Sequence, residues 1–395
     1  MKIGMILDHT FPHDPRVKNE AEALIKNGKQ VYLFCLSFDR RFKKNEIIEG
    51  INICRYYCSW ITYKFSALAY SFPFYKWIMS KKIKKFIKKN HIDVLHIHDI
   101  QIASSVFLAN KTFNLEVVLD LHENRPEIMK EYKHVKSFIG QMLIKPINWK
   151  KAEEKFSKQS KNVVVVTELA KDELITRTGL KKEKLVVFPN TVSEVFYTDY
   201  KIDENIINKY SDLFVLLYLG NTSKRRGIDL VLDSIPEIIK EIKNFKFVVV
   251  GSSSYDKIIK EKVKKLGISN FVDLEGWKDE NLFQSYIKSS KIGVSPLVSN
   301  IHHDTTYANK IFQYISLACP VLCSDVKAQY ELINKYNFGL SFQTGNREDF
   351  IKKVYLFYRD LELRESLQKN CLNAILNHLN NSIVSKNLVK IYEKK

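Results

Sequence analysis

Residues 292–325 read IGVSPLVSNIHHDTTYANKIFQYISLACPVLCSD, and this stretch indicates the fold of the chain. A short apolar run predicts a strand at Ile292–Ser295, a polar loop follows it, and a helical pattern begins at Asn309. A second apolar run predicts the next strand at Pro320–Cys323. Strand, loop, helix and strand in this order are typical of a βαβ unit in a parallel sheet.

The same alternation of apolar runs and helical patterns extends over all 395 residues. A chain of this length, with 45% hydrophobic residues, suits two α/β domains of roughly 190 residues each. The predicted strands of the first half are Lys2–Leu7, Gln30–Cys35, Asp93–His98, Glu116–Asp120, Asn162–Val166 and Lys184–Phe188. Those of the second half are Leu213–Leu219, Phe245–Val250, Phe271–Leu274, Ile292–Ser295, Pro320–Cys323 and Gly339–Phe342. We therefore predict two doubly wound, Rossmann-like sheets whose carboxyl strand ends face a central cleft.

The polar, charged stretch from Pro189 to about Asp212 predicts the domain boundary. We place the first domain at residues 1–195 and the second at residues 196–374. The chain has a helical pattern from Asn346 almost to its C-terminus, so residues from about 375 to 395 are expected to pack back on the first domain.

Composition limits the class of partner. The chain has 63 lysine and arginine residues against 44 acidic ones, a net charge of +19, which favours a phosphorylated substrate or an anionic lipid. No nucleic-acid-binding motif is recognisable, so no nucleic-acid partner is expected. The six cysteines lack zinc-ligand spacing and lie mostly in apolar runs, which predicts free thiols and a cytoplasmic location. No apolar run reaches the length of about 20 residues that a spanning helix needs.

Two turns place arginine where a helix begins. Asp14 is a suitable N-cap and Pro15 suits the first helical position, so Arg16 is predicted to form an anion site in the first turn. In the second half, Gly220–Gly227 ends a strand with glycine and brings Arg226 to the next helix, which suits a diphosphate. The alternatives are a well-capped surface helix and a solvated basic turn.

With these motifs the chain resembles the retaining glycosyltransferases of family 4, which have the GT-B fold of two Rossmann-like domains. In that family a segment reading roughly N-K-x-F-E-Y-x-x-x-G-x-P-V occupies the place of residues 309–321. Other matching segments are 14–17 (DPRV), 93–99 (DVLHIHD), 119–123 (LDLHE), 189–190 (PN), 226–227 (RG), 275–277 (EGW) and Gly339. The resemblance implies transfer from a nucleotide-sugar donor, with retention and without a metal or other cofactor. It implies a glycan or lipid-linked acceptor in cell-surface polysaccharide or glycoconjugate biosynthesis.

The resemblance also implies roles for individual residues. His122 would face the reacting sugar carbon, and Arg226 and Lys310 would stabilise the departing diphosphate. Gln313 would bind the ribose, and Gly276-Trp277 would form the wall against the base. The implied donor-binding residues are Arg16, Gly220, Asn221, Arg226, Gly276, Trp277, Thr305, Asn309, Lys310 and Gln313. The implied acceptor-side residues are His98, Asp99 and Glu123.

Three departures from the family pattern leave alternatives open. Asn221 replaces an arginine, and Thr305 and Gln313 replace two glutamates. A neutral glutamine still bonds ribose hydroxyls, as a weaker acceptor than a carboxylate. One alternative is a catalytically degenerate GT-B subunit that binds sugar or nucleotide and supports a partner transferase; another is a sugar-nucleotide epimerase. His96 and His98 share one face of a strand, but no metal site is expected because zinc usually has three or four converging ligands.

The segment Tyr56–Asn90 is rich in aromatic residues and lysine. Its apolar stripe of Met79, Ile83, Phe86 and Ile87, with lysines on the other face, predicts contact with an anionic membrane. The alternative is an ordinary helix whose stripe faces the sheet. The net charge favours the membrane, and with it a peripheral position on the cytoplasmic face.

Overall fold

The computed structural model describes residues 1–12 and 14–393, without the side chains of residues 133, 134, 139, 141 and 142. Its contacts divide the chain into two compact units. Unit 1 comprises Met1–Asn190 and Val384–Lys395, and unit 2 comprises Thr191–Ile383. The boundary between the units follows Asn190, whereas the sequence predicted it after residue 195. The chain returns to unit 1 at Val384, whereas the sequence predicted this return near residue 375.

Unit 1 contains an eight-stranded sheet. Its strands are β1 (Lys2–Leu7), β2 (Gln30–Ser37), β3 (Asn45–Ile48), β4 (Ile51–Tyr57), β5 (Val94–His98), β6 (Glu116–Leu121), β7 (Asn162–Val165) and β8 (Leu185–Val187). They lie in the order β3-β4-β2-β1-β5-β6-β7-β8, and every neighbouring pair is parallel except β3 and β4. The strand order reverses between β1 and β5, so their carboxyl ends border the switch point where open α/β sheets bind ligands.

Helices cover both faces of this sheet. They are α1 (Pro15–Lys26), α2 (Trp60–Lys64), α3 (Phe74–Asn90), α4 (Ala103–Asn110), α5 (Arg125–Met129), α6 (Lys133–Lys136), α7 (Phe138–Leu143), α8 (Pro146–Gln159) and α9 (Glu168–Thr178). One buried cluster joins the sheet to α3, α4 and α8, and another joins it to α1. The predicted cap of α1 is confirmed, since the Asp14 side chain accepts hydrogen bonds from the backbone N–H groups of Arg16 and Val17.

Unit 2 contains a six-stranded sheet in which all neighbouring strands are parallel. Its strands are β9 (Phe214–Leu219), β10 (Phe245–Val250), β11 (Val272–Gly276), β12 (Ile292–Ser295), β13 (Val321–Ser324) and β14 (Gly339–Phe342). The order is β11-β10-β9-β12-β13-β14, so the switch point lies between β9 and β12. The helices are α10 (Val195–Thr198), α11 (Glu204–Tyr210), α12 (Ile228–Glu241), α13 (Asp256–Lys265), α14 (Phe283–Lys288), α15 (Ile301–Asp304), α16 (Asn309–Ser316), α17 (Lys327–Tyr336), α18 (Arg347–Arg359) and α19 (Leu361–Ala374).

The last helix, α20 (Asn381–Lys390), leads the chain from unit 2 back into unit 1. The side chains of Leu388, Val389 and Tyr392 are buried in the unit 1 core beside residues of β1 and β2. The predicted return of the C-terminal helices to the first domain is therefore confirmed. Among the described residues, no helix is both long enough and apolar enough to cross a membrane.

The hairpin of β3 and β4 is absent from the sequence prediction. β3 is largely exposed and lacks the continuous apolar run by which buried parallel strands are recognised. The turn between the strands consists of Glu49 and Gly50, which both have positive φ (49° and 81°), as a two-residue hairpin of type I′ requires. This glycine between two short apolar runs was the available signal.

The apolar stripe of α3 is core rather than membrane surface, which corrects the prediction. Met79, Ile83 and Phe86 are fully buried against the sheet, and Ile87 is nearly so. A stripe at helical spacing looks the same in sequence whether it faces a sheet or a lipid surface, and only the packing of α3 decides between them.

Candidate active site

The switch point of unit 2 brings the basic turn to the end of β12. Gly227 has φ +76°, and a Cβ at this position would lie 1.6 Å from the backbone oxygen of Pro296. Only glycine allows so close an approach. The backbone N–H of Val298 donates to the backbone oxygen of Arg225 at 3.2 Å. The turn that carries Arg225 and Arg226 is thereby held beside the carboxyl ends of β9 and β12.

Three glycines form a backbone surface at the ends of β9, β10 and β11. Gly220, Gly251 and Gly276 have φ values of +105°, +136° and +69°. The N–H of Gly251 donates to the oxygen of Gly276 at 2.7 Å, and a Cβ on Gly251 would lie 2.0 Å from the oxygen of Gly220. The sequence analysis missed Gly251. Next to this surface the predicted base-binding residue Trp277 presents an indole that is 75% exposed.

Lys310, in the first turn of α16, is a buried cation without a counter-charge. Its side chain is 7% exposed, and its Nζ lies 3.3 Å from the centroid of the Tyr218 ring. Within the described part of the chain, Nζ of Lys310 and Nε of Arg226 are buried without a hydrogen-bond partner, and no carboxylate is among the groups that shift the pKa of Lys310. Burial first, and the charge of Arg226 second, hold the pKa of Lys310 well below its usual range. An anionic ligand would supply the missing charge.

Arg225 is oriented by His303 of the polar loop after β12. Nδ1 of His303 lies 2.6 Å from the backbone oxygen of Val298 and donates to it, so Nε2 accepts from Nη1 of Arg225 at 3.0 Å. Burial, assisted by the charge of Arg226, lowers the pKa of His303 to about 3. His303 is therefore a neutral acceptor that positions an arginine, a role the sequence analysis did not assign.

The remaining predicted donor-binding residues differ in accessibility. Asn309 is exposed at the first position of α16, Gln313 is half-buried one turn later, and no side chain caps this helix start. The N–H of Ile311 donates to the backbone oxygen of Ala308 at 2.9 Å, so the N–H groups of Asn309 and Lys310, which have no acceptor within the helix, are the ones that suit an anion. The hydroxyl of Thr305 is buried and donates to the backbone oxygen of Ile301 at 2.9 Å, so it serves its own helix turn. The side chain of Asn221 accepts from the N–H of Ser223 at 3.0 Å and orders the turn after β9.

In unit 1, Asp120 joins the residues that the sequence analysis singled out. It is the register partner of His98, and it precedes His122 by two residues, which places both on one face. The Asp120 carboxylate accepts from Nε and Nη2 of Arg16 at 2.9 and 2.5 Å. It also lies 2.8 Å from Nε2 of His122 and 3.3 Å from Nδ1 of His98. In the segment LDLHE, Asp120 lies two residues before His122, and this spacing was the sequence signal that the two side chains share a face.

Arg16 has a different role from the predicted one. Its side chain is 4% exposed, and Nη1 donates to the backbone oxygen of Phe188 at 2.6 Å and to Oδ1 of Asn190 at 2.8 Å. With its other nitrogens on Asp120, the guanidinium is fully engaged by the protein. Arg16 therefore positions Asp120, and the expected contact with the donor is corrected.

His122 is held as a cation. Burial alone would lower its pKa, but the Asp120 carboxylate outweighs burial and raises the pKa of His122 to about 9. The Arg16 guanidinium outweighs burial in the same way and holds the pKa of Asp120 well below its usual range. Because Nε2 faces Asp120, Nδ1 is the nitrogen left for a ligand. His98 is 1% exposed behind this pair, and burial lowers its pKa, so it supports the site rather than meeting an acceptor as predicted.

Four buried side chains in unit 1 have the donor atoms of a metal site. Atoms of Glu20, His96, His98 and Asp120 lie within 4.8 Å of one another. Nε of Arg16, however, lies 3.2 Å from Oε1 of Glu20 as well as bonding Asp120. Burial also raises the pKa of Glu20 to about 8, which leaves that carboxyl protonated at neutral pH. These four side chains therefore suit the Arg16 guanidinium that they already contact better than they suit a metal ion.

The acceptor-side acids lie at neighbouring strand ends. Asp99 follows β5 with φ +67°, a strained value for a non-glycine residue. Nη1 of Arg125 donates to Oε1 of Glu123 at 2.8 Å and lies 3.7 Å from Oδ2 of Asp99. At the end of β1, burial raises the pKa of Asp8 to about 7, and the hydroxyl of Tyr75 donates to this carboxyl. The sequence analysis missed Arg125 and Asp8.

Comparison with known families accounts for both units. Residues 16–194 match the family described as Glycosyltransferase Family 4, and residues 199–373 match Glycosyl transferases group 1. The chain belongs to the family 4 glycosyltransferases of the GT-B fold. The predicted family, fold and enzyme class of this glycosyltransferase are therefore confirmed.

Solved structures agree on the fold. The glycosyltransferase superposes on sucrose-phosphate synthase from Thermosynechococcus elongatus with a TM-score of 0.78 and 14% identity, covering 99% of this chain and 98% of that one. It superposes on Anabaena HepE in complex with UDP-glucose with a TM-score of 0.73 and 12% identity, covering 99% of each chain. At such identity the likeness shows the fold alone.

Two relatives of the glycosyltransferase are named for lipids. One is a subunit of the phosphatidylinositol N-acetylglucosaminyltransferase of Arabidopsis thaliana, 20% identical over 282 residues, which cover 70% of this chain but only 58% of that relative. The other is the alpha-monoglucosyldiacylglycerol synthase of Streptococcus pneumoniae, 22% identical over 407 residues, which cover 94% of this chain and 88% of the relative.

Proposed function

We propose that this glycosyltransferase moves a sugar from a nucleoside diphosphate donor to a lipid-linked acceptor at the cytoplasmic face of a membrane, with retention and without a metal. The observation that carries the donor class is the buried Lys310 near the half-buried Arg226, because Nζ of the one and Nε of the other lack a hydrogen-bond partner among the described residues. Burying unpaired cations is costly, and a diphosphate is the ligand that offsets this cost.

Different residues of unit 2 bind the diphosphate, the ribose and the base of the donor. Lys310 and Arg226 bind the diphosphate together with the first N–H groups of α16, and Gln313 bonds the ribose. The exposed indole of Trp277 stacks on the base. UDP is the first nucleotide to test, because HepE, which shares the fold, binds UDP-glucose.

The chemistry requires stabilisation of the departing diphosphate. As the bond between sugar and phosphate breaks, negative charge grows on the leaving group. Fixed cations in a water-poor site stabilise it more than they stabilise the ground state. Lys310 and Arg226 supply the charge that a divalent cation supplies in metal-dependent phosphate chemistry. The acceptor hydroxyl then attacks from the face that the diphosphate leaves and gives its proton to the departing phosphate oxygen, which retains the anomeric configuration.

His122 acts as a hydrogen-bond donor toward a substrate oxygen at the carboxyl end of the unit 1 sheet. Only the imidazolium carries a proton on Nδ1 while Nε2 donates to Asp120. The short distance of 2.8 Å to Asp120 favours this doubly protonated form.

An exposed aromatic patch on α2, α3 and the turn between them supports a membrane-bound acceptor. Trp60 and Trp77 are 64% and 51% exposed, and the Phe74 ring lies 6.1 Å from that of Trp77 and 6.2 Å from that of Phe65. The other exposed large apolar side chains on these elements are Ile61, Phe72 and Ile78. Exposed lysines flank the patch, which suits an interface with anionic lipid.

A thermal-shift screen of UDP-, GDP-, ADP- and TDP-sugars tests the donor site. A bound donor raises the melting temperature by mass action, and Lys310→Met should reduce the shift. Transfer to extracted lipid in the presence of a chelator then tests metal independence, and the anomeric configuration of the product tests retention. Binding without transfer to any acceptor would favour the catalytically degenerate alternative, and no shift with any donor would contradict the proposal.

Vesicle sedimentation tests the membrane contact. Phe74→Ser with Trp77→Ser should reduce binding to anionic vesicles at every ionic strength, and Phe138→Ser, which removes an 85% exposed aromatic elsewhere in unit 1, should not. Neutralising Lys81, Lys82, Lys84, Lys85, Lys88 and Lys89 should weaken binding at low salt, since each lysine near such a surface is worth about 1 kcal/mol. A wild-type chain that ignores anionic vesicles at low salt would contradict the contact.

A further inference from the structure

The ring of Tyr218 is the group that faces the ammonium of Lys310 in the described part of the chain. The distance of 3.3 Å from Nζ to the ring centroid is well within the range of a cation–π contact. Tyr218 is fully buried near the end of β9, and Lys310 is 7% exposed, so solvent screens this contact little. Cε of Lys310 lies 3.9 Å from the place of a Cβ on Gly220, which puts the lysine stem beside the turn that follows the strand.

The hydroxyl of Tyr218 fixes that same turn. It donates to the backbone oxygen of Asn221 at 2.6 Å, three residues further along the chain. Burial raises the pKa of Tyr218 well above its usual range, so the hydroxyl keeps the proton that it donates. One side chain therefore contacts both the lysine and the turn in which Gly220 has φ +105°.

We propose that Tyr218 is a positioning residue that holds Lys310 and the turn after β9 in place for the donor diphosphate. The inference rests on the proposed donor site. A lysine has a flexible stem, and without an anion nothing else among its described neighbours bonds its ammonium. The ring face gives the cation a favourable position before the donor arrives, which lowers the entropy cost of binding.

Titration calorimetry with inorganic pyrophosphate and with UDP tests the inference without knowledge of the sugar or acceptor. Tyr218→Leu should weaken both ligands at least tenfold, whereas Tyr218→Phe, which keeps the ring and loses only the hydrogen bond to Asn221, should weaken them at most about threefold. In the Lys310→Met background, Tyr218→Leu should have no more than about this threefold further effect, because the cation that faces the ring is gone and only the hydrogen bond to the turn is lost. Phe247→Leu, at a fully buried position of the same apolar cluster, is the matched control and should bind as the wild type does.

Fluorinated phenylalanines at position 218 test the contact without changing the packing of the core. Successive fluorines weaken the negative ring face at nearly constant shape, so affinity for pyrophosphate should fall with each one. Equal affinity across this series, or wild-type affinity of Tyr218→Leu while Lys310→Met loses binding, would overturn the role of Tyr218 and leave the donor site intact. A wild-type chain that binds neither pyrophosphate nor any nucleoside diphosphate would overturn both.

Discussion

Replacing Asp120 with asparagine should move the alkaline limit of transfer to lower pH. The carboxylate raises the pKa of His122 to about 9, and without it the imidazole returns toward the ordinary value of 6.5. At pH 8 the imidazolium fraction then falls from about nine-tenths to about 3%, and at pH 6 it changes by less than a factor of two. If the imidazolium is the active form, Asp120→Asn should lose about twentyfold at pH 8 beyond its loss at pH 6.

The pair of His122 and Asp120 also makes the free energy of unfolding depend on pH. Since the folded-state pKa of His122 is raised, its contribution is fully present below pH 6.5 and is lost as the pH rises through about 9. The difference between the two pKa values corresponds to about 3 kcal/mol of unfolding free energy at low pH. Denaturant unfolding of the wild type and of His122→Gln at pH 6 and pH 9.5 should show this contribution disappear.

The assay compares rates of one variant at two pH values, each divided by the concentration of folded protein measured at that pH. Asp120→Asn also leaves the buried guanidinium of Arg16 without its carboxylate, so an overall loss of activity is expected at every pH. His122→Gln, which cannot titrate, should lack the alkaline limb. A profile of Asp120→Asn that coincides with the wild-type profile after scaling would refute the reasoning, as would a wild-type His122 that titrates near pH 6.5 by NMR.

Three further predictions concern unit 2. Arg226→Ala should reduce transfer at least tenfold, about 1.4 kcal/mol of transition-state stabilisation, with an unchanged melting temperature; a smaller loss would contradict the diphosphate role. Gln313→Glu should keep or improve donor affinity, since a carboxylate is the stronger acceptor for ribose hydroxyls, and a nucleotide-bound structure with Gln313 far from the ribose would contradict its assignment. Pyrophosphate affinity should fall as the pH rises, because burial and then Arg226 lower the pKa of Lys310 and a neutral lysine lacks the charge that binds the anion. Calorimetry of the wild type and of Lys310→Met over a pH series measures this fall, and parallel curves for the two proteins would contradict it.

Much of the fold could be predicted because parallel strands are buried on both faces. β1, β10, β12 and β14 begin and end at the predicted residues, and the other predicted strands agree within two residues at each end. Local rules also sufficed for the cap of α1 and for the shared face of His96 and His98, whose ring centroids lie 4.6 Å apart. The motif of residues 309–321 and its neighbours identified the family.

The partners of the charged residues were decided by the tertiary structure. Arg16 and Asp120 are 104 residues apart in the chain, and their contact turns a predicted anion site into a support for His122. Burial of the α3 stripe depends on the sheet beneath it, and the isolation of Lys310 depends on how β9 and α16 pack. Most strands, the cap of α1 and the family could be read from the sequence alone, because these follow from residues close together along the chain. Arg16 has a carboxylate partner and Lys310 has none. This difference depends on distances between residues that are far apart in the chain, so no local sequence pattern could show it.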